Sequence, residues 1–409
     1  MRSAWLTLAA SFVVLAVYRT VTSSFSILVL PLQDELAAPR ASVTLVFTTH
    51  MLVYAVASFA CGALIGRFGP RATIAFGGVL VGLGMAAMSI AHSIATLALA
   101  FGLLCGAGVA LVGLPAHFVL ISERFPTRVA TAMGVAAAGM GVGVLVLIPA
   151  IQWAAERLGW REAFVWAGAA ATIIVAICMS YQPANAASDV AHGESATGAP
   201  TEQRSMRRRM LEVIRLGKWQ AFAAANFLMG SALFSVVTHQ VALLRESGWS
   251  ALAAATSLGL VNVFRSAAGP LWGILLDRSG PRFAYGLSTT VAVLGLVAIA
   301  TAQGAGPSAV ALAYAFIFVY GVGSAGSLPT NASLAAALFT REQRAIAWGF
   351  IETAYASGAA FGAWIVGFLF DRTGLYTAGL VLAGVQMIAS YAVVVALSSA
   401  HTRRAAAHG

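Results

Sequence analysis

Long apolar runs alternate with short polar segments along almost the whole chain. Each run is long enough to cross the roughly 30 Å hydrocarbon core of a bilayer as an α-helix. We therefore predict an all-α integral membrane protein with twelve transmembrane helices. The runs lie near residues 5–31, 43–66, 72–91, 95–121, 129–152, 161–181, 219–244, 251–276, 283–303, 308–332, 345–370 and 375–398.

A polar segment at 183–218 divides these runs into two groups of six. It is rich in Ala, Ser, Gly, Pro and Glu, and its second part is basic. Because such a composition cannot bury a core, it predicts a flexible linker, with a short amphipathic helix over 205–216 as an option. The predicted domains are an N-terminal six-helix bundle at 1–182, a cytoplasmic linker at 183–218 and a C-terminal six-helix bundle at 219–409.

The composition supports a membrane protein. The chain is 60% hydrophobic and 9% charged, with a mean hydropathy of +0.86, whereas a soluble domain averages about 25% charged residues. The net charge of +10 is typical of basic loops that set topology, so it does not indicate nucleic acid. The three cysteines lie in apolar runs without metal-ligand spacing. We therefore predict neither a disulfide nor a metal site, and no motif indicates a cofactor.

The distribution of charge predicts the orientation. If the N-terminus lies inside, most of the 24 Lys and Arg residues fall in cytoplasmic loops, in the linker or in the tails. Cytoplasmic loops of membrane proteins carry such an excess of positive charge. Both termini are therefore predicted to be cytoplasmic.

Two loops of the chain carry nearly the same sequence. Gly62–Arg71 reads GALIGRFGPR and Gly273–Arg282 reads GILLDRSGPR, with a constant offset of 211 residues. The match predicts a six-helix unit that has been duplicated in parallel. In transporters built this way, the substrate site lies between the halves near the middle of the membrane.

These paired loops resemble the loop signature of the major facilitator superfamily, Gly-x-Leu-x-Asp-Arg-x-Gly-x-Arg. The resemblance implies the major facilitator fold, with two pseudo-symmetric six-helix bundles. It also implies that an acid and arginines latch the cytoplasmic ends of helices in one state of the cycle. The second loop has this acid as Asp277, whereas the first has Gly66 there, so the second loop is the stronger candidate. The candidates for this cytoplasmic gate are Asp277, Arg278, Arg282, Arg67 and Arg71.

Within this superfamily, the sequence is most similar to the monocarboxylate transporters and the oxalate/formate antiporter branch. Three stretches carry the likeness, namely Ser26–Leu36, Arg265–Gly269 and Gly367–Gly374. The resemblance implies that Arg265 binds the substrate carboxylate, as that group's eighth-helix arginine does. Similar stretches recur in bacterial carriers, so the expected location is a bacterial cytoplasmic membrane. The antiporter's lysine on helix eleven has no counterpart here, which weakens the case for a dicarboxylate site copied from it.

Two arginines lie near the middle of predicted spans, Arg19 in the first span and Arg265 in the eighth. A guanidinium at that depth costs on the order of several kcal/mol, so it should face protein or water rather than lipid. Because a guanidinium binds a carboxylate in bidentate fashion, two such cations, one in each half, predict an anion site between the halves. The alternative is a structural arginine paired with an internal acid or with backbone carbonyls.

Polar side chains in the predicted helices can orient a bound anion. Asn262 precedes Arg265 by three residues and shares its helical face. Amides and phenols also serve as hydrogen-bond partners between helices, so both roles stay open. The predicted substrate-binding residues are Arg265, Arg19, Asn262, Tyr320, Tyr355 and Asn226.

Proton coupling has four candidate residues. Glu352 is the acid placed well inside a span, on the eleventh helix, where a carboxyl group tends to be neutral unless it is paired. Three histidines within spans, His50, His117 and His239, belong to the residue type that titrates near neutral pH. A helix-packing hydrogen bond is the alternative for all four. The scatter of the histidines over different helices and depths argues against a metal site.

We predict a secondary active transporter that moves a small organic anion, a monocarboxylate, by alternating access with proton symport. The sequence shows no ATP-binding loop, nucleophile–base pair or metal set, so we predict a gradient-driven carrier and not an enzyme. The expected partners are the anion, the proton and the lipid bilayer but no nucleic acid, and we expect a monomer. Three alternatives stay open: an anion exchanger or dicarboxylate carrier of the same fold, an exporter of a hydrophobic compound, and a non-transporting membrane sensor.

Overall fold

The computed structural model describes residues 2–126, 128–182, 217–302, 306–339 and 341–406. The predicted linker at 183–218 lies outside this part of the chain except for its last two residues, which begin a helix. The optional amphipathic helix at 205–216 lies outside it entirely. The predicted division into domains therefore stays a prediction.

The described residues form helices and short connections, and no strand occurs among them. A 3-10 turn at Met88–Ile90 and a π-helix at Ala98–Cys105 accompany the α-helices. The α-helices are α1 (Arg2–Leu36), α2 (Arg40–Ala87), α3 (Ile94–Leu97), α4 (Gly106–Val112), α5 (Leu114–Arg124), α6 (Val129–Leu158), α7 (Trp160–Ser180), α8 (Gly217–Glu246), α9 (Ala251–Thr301), α10 (Pro307–Ser324), α11 (Ser327–Leu338), α12 (Arg341–Thr373) and α13 (Thr377–Ala406).

Two long helices contain the duplicated loops, and each breaks at a glycine. In α2, Gly69 has φ 78° and ψ 162°, and in α9, Gly280 has φ 79° and ψ 167°. Only glycine adopts this region without strain. A proline follows each glycine and begins the next helical segment, as proline favours. The same backbone break therefore occurs at positions 211 residues apart, as the sequence repeat predicts.

Ten helical segments among the described residues are long and apolar enough to cross a membrane. Two of them, Arg40–Ile90 and Ala251–Thr301, contain 51 residues each. A straight helix of that length would extend about 77 Å, more than twice the roughly 30 Å hydrocarbon core. Counting each broken segment as two spans would give the predicted twelve, and that count stays a prediction.

Two further predicted spans are interrupted, which the sequence analysis did not foresee. The span at 95–121 breaks at Gly113, whose backbone is extended (φ −70°, ψ −175°), and α5 then begins with Leu114 and Pro115. The span at 308–332 turns at Ala325 and Gly326 before Ser327 begins α11. Because proline lacks an N–H and clashes with the preceding turn, it favours a new helix start over continuation.

The chain divides into two compact units. The first contains Met1–Ala196 and Val237–Asn262, and the second contains Thr197–Val236 and Val263–Gly409. The C-terminal part of α8 and the start of α9 therefore belong with the N-terminal helices in the first unit. Gly259 of α9 illustrates this arrangement, because a Cβ there would lie 2.4 Å from the Cα of Leu145 in α6.

Glycines bring helices close together within each unit. In the first unit, a Cβ on Gly143 of α6 would lie 2.4 Å from the carbonyl oxygen of Ala16 in α1. In the second unit, a Cβ on Gly358 of α12 would lie 2.0 Å from the carbonyl oxygen of Phe227 in α8. Small residues allow such close approaches between membrane helices.

Candidate functional site

Arg265 lies in the second unit, on the part of α9 that precedes the Gly280 break, and its side chain is half-buried. Within the described residues, the structure records no hydrogen bond or ion pair for its guanidinium. Its charge does interact with the hydroxyl of Tyr320 on α10. That hydroxyl is buried and has no hydrogen-bond partner. A cation and a buried, unsatisfied phenol therefore lie near each other.

Two tyrosines connect this cation to neighbouring helices. Tyr320 is 1% exposed, stacks on Phe316 with ring centroids 5.3 Å apart and lies near Tyr355 of α12. Tyr355 contacts Phe234 of α8 edge to face, with centroids 6.1 Å apart. The structure thus brings together three of the predicted substrate-binding residues from α9, α10 and α12.

The side-chain amides of the two predicted asparagines differ in the hydrogen bonds that they already make. Asn262 lies one turn before Arg265 on α9 and donates from Nδ2 to the carbonyl oxygen of Leu258 at 2.9 Å. Asn226 of α8 donates to the carbonyl oxygen of Phe222 at 2.9 Å and accepts from Asn331 Nδ2 at 2.7 Å. Because both ends of the Asn226 amide are engaged, helix packing is its role in this structure. Ligand binding would require breaking one of these bonds.

Arg19 lies in the first unit, on α1, and is half-buried. The polar residues that follow it are largely satisfied by their own helix. Ser26 donates to the carbonyl oxygen of Ser23 at 2.8 Å, whereas the hydroxyl of Ser23 is buried without a partner. Next to Arg19, the Tyr18 hydroxyl donates to Tyr54 of α2 at 3.4 Å. The structure places Arg19 in a polar part of α1, and its role as a second substrate cation stays a prediction.

The histidines take part in helix packing. His50 is fully buried, with its Nδ1 3.2 Å from the carbonyl oxygen of Phe101 and its ring stacked 4.7 Å from the Phe101 ring. His117 is also fully buried, and its Nδ1 lies 3.0 Å from the Ser11 hydroxyl. His239 is 2% exposed. No group of metal-ligating side chains occurs among the described residues.

Glu352 differs from the histidines in position. It is half-buried on α12, three residues before Tyr355 and therefore on the same helical face. Among the four predicted proton carriers, it is the one on the same helix as Tyr355.

The predicted cytoplasmic gate residues lie at the two glycine breaks. Arg71 donates to the carbonyl oxygen of Gln182, just beyond α7, at 2.8 Å, and Arg282 donates to the Ser399 hydroxyl of α13 at 2.7 Å. Arg67 is exposed and lies over the Phe68 ring at 5.1 Å. The remaining two gate candidates are Asp277 and Arg278, both exposed.

A buried ion pair in the first unit was missed by the sequence analysis. Arg40 begins α2, is 2% exposed and donates to Gln33 at 2.9 Å. It also donates to Glu246, at the end of α8, at 2.6 Å. A cation this buried needs such partners. No local signal marks the pair, because Arg40 and Glu246 are 206 residues apart.

A second ion pair lies at the same predicted outer side. Arg161, at the start of α7, bonds Glu35 at the end of α1. It also donates to the carbonyl oxygens of Met88, Ser89 and Ala91 at 2.7–3.0 Å. These carbonyls lie at the end of the helical segment that follows the Gly69 break, so Arg161 satisfies groups that the helix itself leaves open.

The fold and the sequence together define the family. The profile of the Major Facilitator Superfamily matches residues 10–266 and 221–408. The chain belongs to this superfamily of membrane transporters, and it is an integral, multi-pass membrane protein.

Its curated relatives place it in one branch of that superfamily. Monocarboxylate transporter 13 from Bos taurus is 28% identical over 393 residues, which is 96% of this chain and 89% of the relative. The oxalate:formate antiporter of Oxalobacter formigenes is 27% identical over 310 residues, which is 72% of this chain and 71% of the relative. The chain is thus related to the monocarboxylate transporter and oxalate:formate antiporter branch, as its sequence motifs predict.

Solved structures share the fold. The nucleoside transporter NupG superposes with a TM-score of 0.76 at 13% identity, covering 97% of this chain and 99% of that one. The inward-open xylose transporter XylE from E. coli superposes with a TM-score of 0.73 at 14% identity, covering 95% of each chain. The predicted major facilitator fold is confirmed.

Proposed function

We propose that this protein moves a small organic anion, a monocarboxylate, by alternating access together with a proton. The observation that carries the proposal is the half-buried Arg265, which has no recorded hydrogen bond or ion pair in the described part of the chain. An uncompensated guanidinium inside a membrane protein is costly. A ligand carboxylate would compensate the charge through two parallel hydrogen bonds.

Tyr320 strengthens the case for a carboxylate. A buried hydroxyl without a partner costs free energy that a ligand oxygen would recover. With Arg265 near this hydroxyl, a carboxylate bound by the guanidinium would also accept from the phenol. The names of the relatives, which include monocarboxylate transporters and an oxalate:formate antiporter, point to substrates of this class.

Glu352 is our candidate for the proton carrier. It lies one turn from Tyr355, which is near Tyr320. If Glu352 takes up a proton when the anion binds, the anion and the proton cross together and the carried charge is reduced. His50 and His117 are fully buried in packing contacts, which makes them less accessible to an incoming proton.

Alternating access requires a closure on each side of the membrane. We propose that Asp277, Arg278 and Arg282 belong to the cytoplasmic closure and that the Arg40–Glu246 pair belongs to the outer one. This assignment follows the predicted orientation, with both termini in the cytoplasm of a bacterium. We expect the protein to work as a monomer.

The test is uptake by proteoliposomes that contain the purified protein. Labelled lactate, pyruvate, acetate and formate would be offered with and without an inward proton gradient. We expect at least one of these anions to accumulate faster with the gradient. Arg265→Lys should lose most of this uptake, because an ammonium cannot reproduce the guanidinium's two parallel hydrogen bonds. Wild-type uptake by Arg265→Lys would refute the proposed site.

Exchange is the second candidate mechanism, since one relative is an antiporter. In that case uptake would require vesicles that are preloaded with unlabelled acid, and the proton gradient would have no effect. A comparison of preloaded and empty vesicles separates the two mechanisms directly.

A further inference from the structure

A groove on the second unit lies apart from the proposed anion site at Arg265. It is a cavity of about 510 Å³ between α13 and the segment of α9 that follows the Gly280 break. Several large apolar side chains around it are exposed on these membrane-spanning helices, so the groove opens toward lipid. The lining residues are Arg282, Phe283, Gly286, Leu287, Thr289, Thr290, Val293, Leu294, Ile388 and Tyr391.

One end of the groove carries a positive charge. Arg282 is exposed, and the bond to Ser399 is the only hydrogen bond that the structure records for it within the described ranges. A guanidinium has five N–H donors, so most of them are available to an anion. Phosphate oxygens suit this planar fork particularly well.

A buried hydroxyl with no partner lines the same groove. Thr289 is 4% exposed, and its Oγ1 has no hydrogen-bond partner. Its neighbour Thr290, by contrast, donates to the carbonyl oxygen of Gly286 at 2.9 Å. An unsatisfied hydroxyl among apolar side chains is costly unless a ligand supplies an acceptor. The phenol of Tyr391 lies beside Gly286, which follows Arg282 by one helical turn. This phenol adds a second hydrogen-bond donor to the groove.

The length of the groove matches one leaflet of a bilayer. Arg282 and Leu294 are twelve residues apart on one helical segment, which corresponds to about 18 Å. Half of the hydrocarbon core is about 15 Å thick. An apolar groove of this length with a cation at its end matches a phospholipid, which has a charged phosphate above an acyl chain.

The equivalent helices of the first unit pack closely at the positions that correspond to the groove. At the positions that correspond to Thr289 and Val293, α2 has Gly78 and Gly82. A Cβ on Gly78 would lie 2.7 Å from Val175 Cγ1, so α2 and α7 are already in contact there. The equivalent positions of the second unit carry the larger side chains of Thr289 and Val293, and both line the groove.

We propose that this groove binds one molecule of an anionic phospholipid. Its phosphate lies against Arg282, an acyl chain lies along Val293 and Leu294, and the Tyr391 and Thr289 hydroxyls donate to oxygens of the lipid. The site is separate from Arg265 and does not depend on the identity of the transported anion.

Native mass spectrometry of the detergent-purified full-length protein tests the proposal. The probes are dioleoylphosphatidylglycerol, dioleoylphosphatidylcholine and glycerol 3-phosphate. We expect one phosphatidylglycerol to be retained in preference to phosphatidylcholine, with no competition from glycerol 3-phosphate. Arg282→Gln should weaken retention about tenfold, and Thr290→Trp should abolish it by filling the groove. The matched control Arg278→Gln, which removes an exposed cation four residues away, should retain the lipid as the wild type does.

Several results would overturn the proposal. If Arg282→Gln and Arg278→Gln lost phosphatidylglycerol to the same extent, the lipid would be held by general attraction to the positive charge of the protein and not by the groove. Competition by glycerol 3-phosphate would mean a site for free phosphates. Unchanged retention in Thr290→Trp, or no preferred lipid on the wild type, would mean that the groove is not a lipid site. Size-exclusion profiles confirm that each variant is folded, and Thr290→Trp decides the question if Arg282→Gln does not fold.

Discussion

The broken helices α2 and α9 have the same backbone course but different chemistry. Both turn at a glycine with φ near 80°, and both continue through a proline and an arginine. Yet the position of Arg265 in α9 corresponds to Tyr54 in α2, and the position of Asp277 corresponds to Gly66. The duplication therefore preserved the residues that shape the backbone, while the residues with functional groups diverged.

This difference indicates how a symmetric scaffold supports an asymmetric site. The glycines and prolines act through backbone geometry, which both halves need equally. The equivalent position of α2 carries no cation, and an arginine there would add the cost of another charge inside the membrane. In α2, Tyr54 instead shares a hydrogen bond with Tyr18 at 3.4 Å.

The largest expected effect comes from replacing Arg265, and replacing the equivalent residue of α2, Tyr54, should have little effect. We expect Arg265→Gln to lower kcat/KM for the transported anion about 100-fold or more, because it removes the cation that would pair with the buried carboxylate of the anion. Tyr54→Phe should change it less than about threefold, since it removes one long, neutral hydrogen bond. Initial uptake rates in proteoliposomes measure both. Equal losses at the two positions would contradict the asymmetry.

The next largest effect is expected from the glycine breaks that α2 and α9 share. Gly69→Ala and Gly280→Ala each force a side chain into a region that is almost exclusive to glycine, at a cost of about 1–3 kcal/mol. We expect similar decreases in thermal stability for both variants in detergent. Gly62→Ala is the control, because it lies in the same loop repeat and a Cβ there meets nothing within 4 Å. A decrease at one break but not at the other would show that the two breaks are not equivalent.

The buried ion pair of the first unit gives a smaller effect. Arg40→Gln leaves Glu246 without its cation, and the pair links the start of α2 to the end of α8. We expect a decrease of a few degrees in the melting temperature and faster maleimide labelling of a cysteine introduced at Ser42. Arg245→Gln is the matched control, because Arg245 is exposed and donates to the carbonyl oxygen of Trp249 in its own loop at 3.4 Å. Identical labelling rates for the two variants would show that the pair does not close this side.

Tyr320→Phe should give the smallest effect. It removes a buried hydroxyl that has no hydrogen-bond partner, so without anion the variant should be as stable as the wild type or slightly more stable. Anion affinity should fall about two- to tenfold, which corresponds to one hydrogen bond. A thermal-shift titration with the transported anion reports both quantities. A destabilised free protein with unchanged affinity would assign the hydroxyl a structural role.

Much of the fold could be predicted because it depends on local patterns. The apolar runs predict the helices, and the loop repeat predicts the equivalent breaks at Gly69 and Gly280. The interruptions at Gly113 and Gly326 had a signal as well, namely the nearby Pro115 and Pro329. That signal was missed because both lie within strongly apolar runs.

The candidate site could be predicted only in part. Arg265 is recognisable because a charge in the middle of an apolar run requires an explanation. Its neighbours Tyr320 and Tyr355 were two of several polar residues on suitable helices, and Asn226 was ranked with them. The structure shows that the Asn226 amide already bonds Asn331 at 2.7 Å. Such a partnership joins two helices and leaves no periodic pattern in the sequence.

The sequence by itself determined the class of protein, its helical spans and its internal repeat, because hydrophobicity and backbone preferences are properties of neighbouring residues. Only the tertiary structure decided that Arg40 pairs with Glu246 and that the Tyr320 hydroxyl lies near Arg265. It also decided that Arg282 borders an open groove, whereas Arg71 bonds the end of α7. These outcomes depend on how closely helices approach each other. That distance is set by side chains far apart in the chain, such as Gly78 against Val175.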